Sequence, residues 1–158
     1  MSPIIREATR ADVPRMVELS AAKRSQYEGF EPVFWRKAEK ADEKQAAFFE
    51  AQLDKKNITT FVFDRDGILD GFLVAAVIPA PPVYDPGGPT CVIDDFCVAD
   101  PGLWPTTGGA LLAETRGKVR PLGAVQVVVM CGEKDWAKRS FLDAEGYGTA
   151  TQIRVKDL

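Results

Sequence analysis

The sequence predicts one domain of the α/β (α+β) class, with a mixed, mostly antiparallel sheet flanked by about four helices. Its 158 residues suit a single domain, spanning 1–158, that buries a core of its own. Two strand segments joined by a turn that ends in Gly67 predict an antiparallel hairpin. Farther along, a strand, a helix and another strand follow one another, which predicts a β-α-β crossover.

The first third of the chain predicts one strand and two helices. A short strand over 3–8 precedes Thr9 and Asp12, which have the spacing of a helix capping box. Apolar residues then recur at helical spacing, so a helix is predicted to about Tyr27. A second helix is predicted over 39–55, with apolar residues along one side and a charged run on the other.

The hairpin occupies the middle of the chain. Its strands are predicted over 59–63 and 68–78, and Gly71 in the second strand indicates a bulge or the close approach of another group. The Pro- and Gly-rich segment 79–90 that follows is incompatible with a helix or a central strand. Long, rigid loops of this kind are often functional.

The last part of the chain predicts three strands and two helices, which brings the total to six strands. The run over 124–131 is almost continuously apolar, so it predicts an interior strand that is covered on both faces. The strands are predicted over 91–98, 124–131 and 147–155, and the helices over 106–120 and 134–145.

Composition and charge exclude several classes of function. The net charge of -3 provides no basic surface for nucleic acid. The chain has no histidine, which excludes a histidine-based triad and histidine-ligated metals, and its three cysteines lack the spacing of a zinc site. No segment has the length of a membrane span or the pattern of a signal peptide. We therefore expect a cytoplasmic protein with no metal, nucleic-acid or membrane partner.

The segment from Cys91 to Leu112, CVIDDFCVADPGLWPTTGGALL, is predicted to form a strand, a loop and a Gly-bearing helix start. Free N–H groups and the positive end of the helix dipole make such a helix start an anion site. The alternative is an ordinary cap and tight turn. The candidate anion-binding residues are Thr106, Thr107, Gly108, Gly109 and Ala110.

Three stretches together resemble the GNAT superfamily of N-acetyltransferases. IREATRADVPRMVEL is similar to the first strand and helix of that family, IDDFCVAD followed by GGALL to its acetyl-CoA-binding motif, and WAKRSFLDAEGY to its last helix. The resemblance runs through nearly the whole chain in the right order. It implies a GNAT-like sheet of six to seven strands, acetyl-CoA as the acyl donor, and an amine of a small molecule or peptide as the acceptor.

The resemblance also implies roles for particular residues. Acetyl-CoA would lie in a gap between the strands 91–98 and 124–131, with amides of the first strand polarising the thioester carbonyl. The residues implied to bind it there are Phe96, Cys97, Val98 and, beside the pantetheine arm, Asp135. The sequence departs from the family at two places. Leu103 or Pro105 replaces the usual Arg or Gln of the loop, and Leu142 replaces a Tyr that can protonate the leaving thiolate.

Three carboxylates are candidate catalytic bases: Asp95, Asp94 and Glu133. Adjacent strand residues point to opposite faces, and Asp94 shares its face with the apolar Phe96, so Asp95 is the better candidate for the groove. A carboxylate in an apolar groove has its pKa raised toward the range that a base needs. The alternative for each acid is a structural ion pair or a helix-capping contact.

The acceptor pocket and the partners are predicted less directly. Tyr27, Phe30 and Tyr84 are candidate substrate-binding residues, although aromatic residues near 30–35 are also typical of core packing. The last predicted strand, GTATQIRV, could pair two copies into a homodimer. The alternative to an enzyme is a non-catalytic acyl-CoA-binding or interaction domain on the same scaffold.

Overall fold

The computed structural model describes residues 2–158 and contains the predicted hairpin and crossover. The strands are β1 Ile4–Glu7, β2 Ile58–Arg65, β3 Ile68–Ile78, β4 Thr90–Val98 and β5 Gln126–Val129, and the helices are α1 Val13–Phe30, α2 Ala41–Leu53, α3 Gly109–Val119 and α4 Trp136–Ala144. The strands lie in one sheet in the order β1-β2-β3-β4-β5. Every neighbouring pair is antiparallel except β4 and β5, which α3 connects in parallel.

Both faces of the sheet are covered, which gives three layers. On one face, α1 and α2 pack through residues such as Met16 and Phe49 onto Phe72 and Cys97. On the other face, α3 and α4 pack through residues such as Leu111 and Phe141 onto the opposite side chains of β3 and β4. The predicted capping box at the start of α1 is present, because the Thr9 N–H donates to Asp12 Oδ2 over 2.7 Å. Within residues 2–158, no helix is long and apolar enough to span a membrane.

Gly71 lies where the sequence predicted a bulge or a close approach, and the structure contains both. The register of β2 and β3 shifts next to it, between Phe63 and Asp64. A Cβ atom at Gly71 would lie 2.8 Å from Thr107 Cγ2 and 2.9 Å from the carbonyl oxygen of Cys97. The lack of a side chain therefore allows the helical segment before α3 to pack directly on the sheet.

We expect Gly71→Ala to lower the free energy of unfolding by about 1–3 kcal/mol, because the new methyl group overpacks a rigid backbone contact. Urea unfolding followed by circular dichroism measures the change. Gly117→Ala is the matched control, since Gly117 lies inside α3 with nothing within 4 Å of the added Cβ. This control should be more stable than the wild type by up to about 1 kcal/mol. Equal stability of Gly71→Ala and the wild type would contradict the packing argument.

Two predictions about the end of the sheet are wrong. The segment 147–155 forms no strand, so the sheet has five strands within the described residues rather than six to seven. As a result β5 is an edge strand and not an interior one, and Val128 is 41% exposed. The apolar run reflects packing on one face of the strand only, where Val127 and Val129 contact the core. Pairing of GTATQIRV between two copies stays a prediction.

Candidate functional site

The strands β4 and β5 separate after a short paired segment. The two strands pair from Thr90 with Gln126 to Ile93 with Val129, and the N–H of Met130 adds one last bond to the Ile93 carbonyl. Beyond this point β4 continues for five residues without a partner on that side. We call the space between 94–98 on β4 and 131–135 after β5 the cleft. It is the gap in which the sequence resemblance places acetyl-CoA.

A β-bulge lies in β4 at the mouth of the cleft. On β3, Leu73 and Ala75 are two residues apart, whereas their partners on β4, Phe96 and Ile93, are three apart. The extra residue lies within the Asp94–Asp95 pair and interrupts the alternation of side chains. Ile93 and Phe96 therefore pack in the same core cluster despite their odd spacing. The sequence analysis assigned the two aspartates to opposite faces by strict alternation. That assignment is not valid at this bulge.

The backbone of β4 presents polar groups to the cleft at alternate residues. The Ala99 N–H donates to the Asp70 carbonyl on β3, so the groups of Ala99 and Cys97 face β3. The groups of Phe96 and Val98 consequently point to the opposite edge, into the cleft. The Phe96 carbonyl accepts a hydrogen bond from there, over 3.3 Å. Of the three residues implied to polarise a thioester, Phe96 and Val98 have suitably directed N–H groups, whereas the Cys97 amide faces β3.

Asp95 is half-buried at the bulge, while Asp94 is exposed. Burial raises the pKa of the Asp95 carboxyl, against the opposing effect of the positive charge on Lys23 of α1. The negative charge of Asp94 also raises this pKa, whereas the positive charges of Lys138 and Arg24 lower it. Asp95 therefore has the environment of a carboxylate that accepts a proton more readily than an exposed aspartate does.

A buried hydrogen-bond network closes the far end of the cleft. The Tyr27 hydroxyl donates to Asp135 Oδ2 over 2.6 Å and accepts from the Gly132 N–H over 3.2 Å. Desolvation and the Asp135 carboxylate raise the pKa of Tyr27 well above its usual value. The Phe30 ring lies 5.6 Å from the Tyr27 ring, centroid to centroid. The structure thus joins Tyr27 and Phe30, predicted as substrate-binding residues, to Asp135, predicted as a pantetheine contact.

We expect Tyr27→Phe to lower the free energy of unfolding by about 1–3 kcal/mol, because it removes the donor to Asp135 Oδ2 and the acceptor of the Gly132 N–H in a buried place. Chemical denaturation measures the loss. Tyr84→Phe removes the same hydroxyl from a side chain that is 72% exposed and should leave stability unchanged. If both variants unfold at the same denaturant concentration, the network contributes nothing to stability.

Lys138 is a site residue that the sequence reasoning missed. Its side chain is 1% exposed, and its Nζ donates to the Phe96 carbonyl in the cleft. The ammonium also lies 5.4 Å from the Phe96 ring centroid and 5.3 Å from that of Trp104. Burial lowers its pKa to about 8. The available signal was a lysine three residues before Phe141 and four before Leu142, on the apolar face of α4.

The helix after β4 begins earlier than predicted. A helical run starts with a 3-10 turn at Pro101, continues as a π-helical segment, Trp104–Gly108, and becomes α-helical at Gly109. The carboxylate of Asp100 accepts from the Gly102 N–H and caps this start. The first residue of the π-helical segment, Trp104, is buried, and its ring stacks on Phe141 with the centroids 5.5 Å apart.

The π-helical segment alters the predicted anion site. The Gly109 N–H donates to the carbonyls of Thr106 and Trp104 and is no longer a free amide. A Cβ at Gly108 would lie 2.8 Å from the Trp104 ring, so this glycine serves packing. Thr106 is exposed and Thr107 is buried, while Gly109 and Ala110 are half-buried.

Two predicted site residues lie apart from the cleft network. Glu133 faces solvent with 71% of its side chain exposed and pairs with Arg139 over 3.5 Å. Tyr84 lies on the exposed loop after β3, and no hydrogen bond or ring contact within residues 2–158 joins it to Tyr27 or Asp95. That part of the chain also contains no cluster of three or more Cys, Asp or Glu side chains able to hold a metal.

Solved structures share the fold along the full chain. A tetramutant of the BH1408 protein from Bacillus halodurans superposes with a TM-score of 0.85 at 18% identity, covering 98% of this chain and 99% of its own. A predicted acetyltransferase with acetyl-CoA from Clostridium acetobutylicum gives 0.76 at 13% identity, covering 99% and 96%. The aminoglycoside N-acetyltransferase AAC(6')-Iy in complex with CoA gives 0.74 at 15% identity, covering 99% and 95%.

These similarities establish the fold. The chain has the fold of the GNAT acetyltransferases, as the sequence resemblance predicted. No protein-family model and no curated protein matches the sequence.

Proposed function

We propose that this chain is an acetyl-CoA-dependent N-acyltransferase that moves an acetyl group to an amine of a small molecule or peptide by direct attack. The observation that carries the proposal is the cleft between β4 and β5. It brings a half-buried carboxylate, Asp95, next to strand backbone whose N–H groups point into the gap. Acyl transfer to an amine needs these two groups: a proton acceptor and donors for the developing oxyanion.

Each step of the proposed transfer has a residue of the cleft assigned to it. The N–H groups of Phe96 and Val98 polarise the thioester carbonyl and stabilise the negative charge that forms on its oxygen. Asp95 accepts the proton of the attacking amine, and its raised pKa makes it a stronger base than an exposed aspartate. Tyr27 and Phe30 form the wall against which the acceptor is held, next to Asp135.

The pyrophosphate of the donor is proposed to bind at the start of α3. Support comes from the exposed Thr106 hydroxyl, whose bond to the Leu103 carbonyl is long at 3.4 Å, and from the space at Gly109, where the atoms nearest to an added Cβ are Glu145 Oε1 and a Phe141 ring carbon at 3.9 Å. Thr107, Gly108 and Ala110 shape this turn. The helix dipole adds positive potential, although Asp100 already occupies the first turn.

Calorimetric titration with acetyl-CoA, followed by a thiol-release assay with an amine panel, tests the proposal. The panel contains neamine, spermidine, tyramine and a lysine peptide. Binding and thiol release with at least one amine are expected. Gly109→Glu places a carboxylate where the pyrophosphate is proposed to lie and should abolish binding, whereas Gly117→Glu, exposed on the same helix, should bind as the wild type does. Absence of binding at millimolar acetyl-CoA would refute the proposal.

A second candidate function, a non-catalytic acyl-CoA-binding or interaction domain, is favoured by one observation. The π-helical segment engages the Gly109 amide internally, and Asp100 caps the helix, so fewer donors face a phosphate group. The same experiment separates the two functions. Binding without thiol release from any amine in the panel would support the non-catalytic domain.

A further inference from the structure

Lys138 places a cation inside the cleft, at the backbone that faces the thioester in the proposed function. Its Nζ is 3.3 Å from the Phe96 carbonyl oxygen. In a strand, the N–H and C=O of one residue point to the same edge, so the Phe96 N–H opens into the same space. The ammonium and the proposed oxyanion donor therefore belong to one small region of β4.

The surroundings of Lys138 stabilise its protonated form only weakly. One backbone carbonyl and the faces of two aromatic rings are its nearest partners, and its side chain is 1% exposed. The charged and titratable groups that act on it are Lys23 from α1, Asp95 and Cys97 from β4, Cys131 after β5 and Asp135 at the start of α4. None of them forms an ion pair with Lys138 within residues 2–158. A lysine in such a place gives up its proton readily.

Three other side chains near the cleft are assigned other roles or carry no proton. The Tyr27 hydroxyl proton is bonded to Asp135. Leu142, one helical turn after Lys138 on the same face of α4, carries no proton to give. Asp95 is assigned to accept a proton rather than to supply one. Departure of a thiolate into this desolvated space would leave a negative charge that only a nearby cation or proton donor can neutralise.

We propose that Lys138 is the general acid that protonates the leaving thiolate of CoA. The assignment rests on the proposed function. The acceptor nitrogen attacks the thioester carbonyl carbon, the C–S bond breaks, and the electron pair goes to sulfur. The Lys138 ammonium transfers one proton to that sulfur, which leaves as the free thiol, and Asp95 takes one proton from the acceptor nitrogen. Transfer of a proton from Asp95 to Lys138 through solvent resets the site.

The test replaces Lys138 with methionine, which keeps most of the volume and removes the proton. We expect turnover with acetyl-CoA to fall roughly 100-fold or more, with the acetyl-CoA affinity measured by calorimetry changed less than about threefold. With 4-nitrothiophenyl acetate, whose thiolate leaves without a proton, the loss should shrink to less than about tenfold. Lys118→Met, on the exposed side of α3, is the control and should match the wild type with both donors.

An equal loss with both acyl donors would show a merely structural role and overturn the assignment, as would undiminished turnover with acetyl-CoA. If Lys138→Met does not fold, the wild type carries the test. Its rate with acetyl-CoA should fall at alkaline pH, where Lys138 loses its proton, while its rate with 4-nitrothiophenyl acetate should not. Parallel pH profiles overturn the assignment. A wild type that binds acetyl-CoA but releases thiol with no amine refutes the proposed function itself, and the assignment with it.

Discussion

Asp95→Asn should lower the turnover of amine acetylation by about 100-fold or more, while acetyl-CoA binds as tightly as to the wild type. Asparagine keeps the size and much of the hydrogen bonding of the side chain but cannot accept the proton of the acceptor. Thiol release under saturating acetyl-CoA measures turnover, and calorimetry measures binding. The effect should lie in kcat rather than in donor affinity, because Asp95 is proposed to act on the acceptor.

The pH dependence of turnover is a second test of Asp95. A base must be ionised, so the wild-type rate should rise with pH through the raised pKa of Asp95, before the alkaline fall expected from Lys138. Asp95→Asn should lose this rise. Asp94→Asn, which changes the exposed neighbour, and Asp143→Asn, which changes an exposed acid on α4, should retain it. Turnover of Asp95→Asn equal to that of the wild type would remove Asp95 from the mechanism.

Lys138→Met should strongly change the pH dependence of stability. The unfolded lysine keeps its proton up to about pH 10.5, whereas burial makes the folded protein release it at about pH 8. Between these values unfolding takes up a proton, so raising the pH favours the folded state. The wild type should therefore gain roughly 3 kcal/mol relative to Lys138→Met between about pH 7 and pH 10.5.

Urea unfolding of both proteins at a series of pH values measures this difference. Below pH 8 the variant should be as stable as the wild type or more so, because it removes a buried charge that lacks an ion-pair partner. Lys118→Met, from which an exposed ammonium is lost, controls for the removal of a surface charge. A difference between the wild type and Lys138→Met that stays constant across the pH range would contradict the burial of a charged ammonium.

The order of the elements was predictable because local patterns specify it. The hairpin turn carries Gly67 at a φ of +85°, and the bounds of β3 are those that the apolar run predicted. The crossover from β4 to β5 follows from the alternation of strand and helix patterns. The strand predicted over 147–155 does not form. A strand needs a partner, and the local pattern does not show whether one is in reach.

For the candidate site, the sequence indicated individual residues but not their arrangement. Asp95, Tyr27 and Asp135 could be nominated from residue type and from the family resemblance alone. Their grouping depends on the bulge in β4, on the separation of β4 from β5, and on the approach of α1 to the end of β5. The π-helical start of α3 depends on the packing of the Trp104 ring against Phe141.

Periodicity and turn chemistry along the chain were sufficient to predict the mixed sheet, its helices and the stretch that carries most of the candidate residues. The direction of the backbone groups of β4, the engagement of the Gly109 amide and the burial of Lys138 beside Phe96 became clear from the folded chain. Burial and hydrogen bonding depend on neighbours in space, which the local pattern does not contain. The same lysine pattern on an exposed helix would carry an ordinary solvated charge, whereas in this fold it places a readily released proton in the cleft.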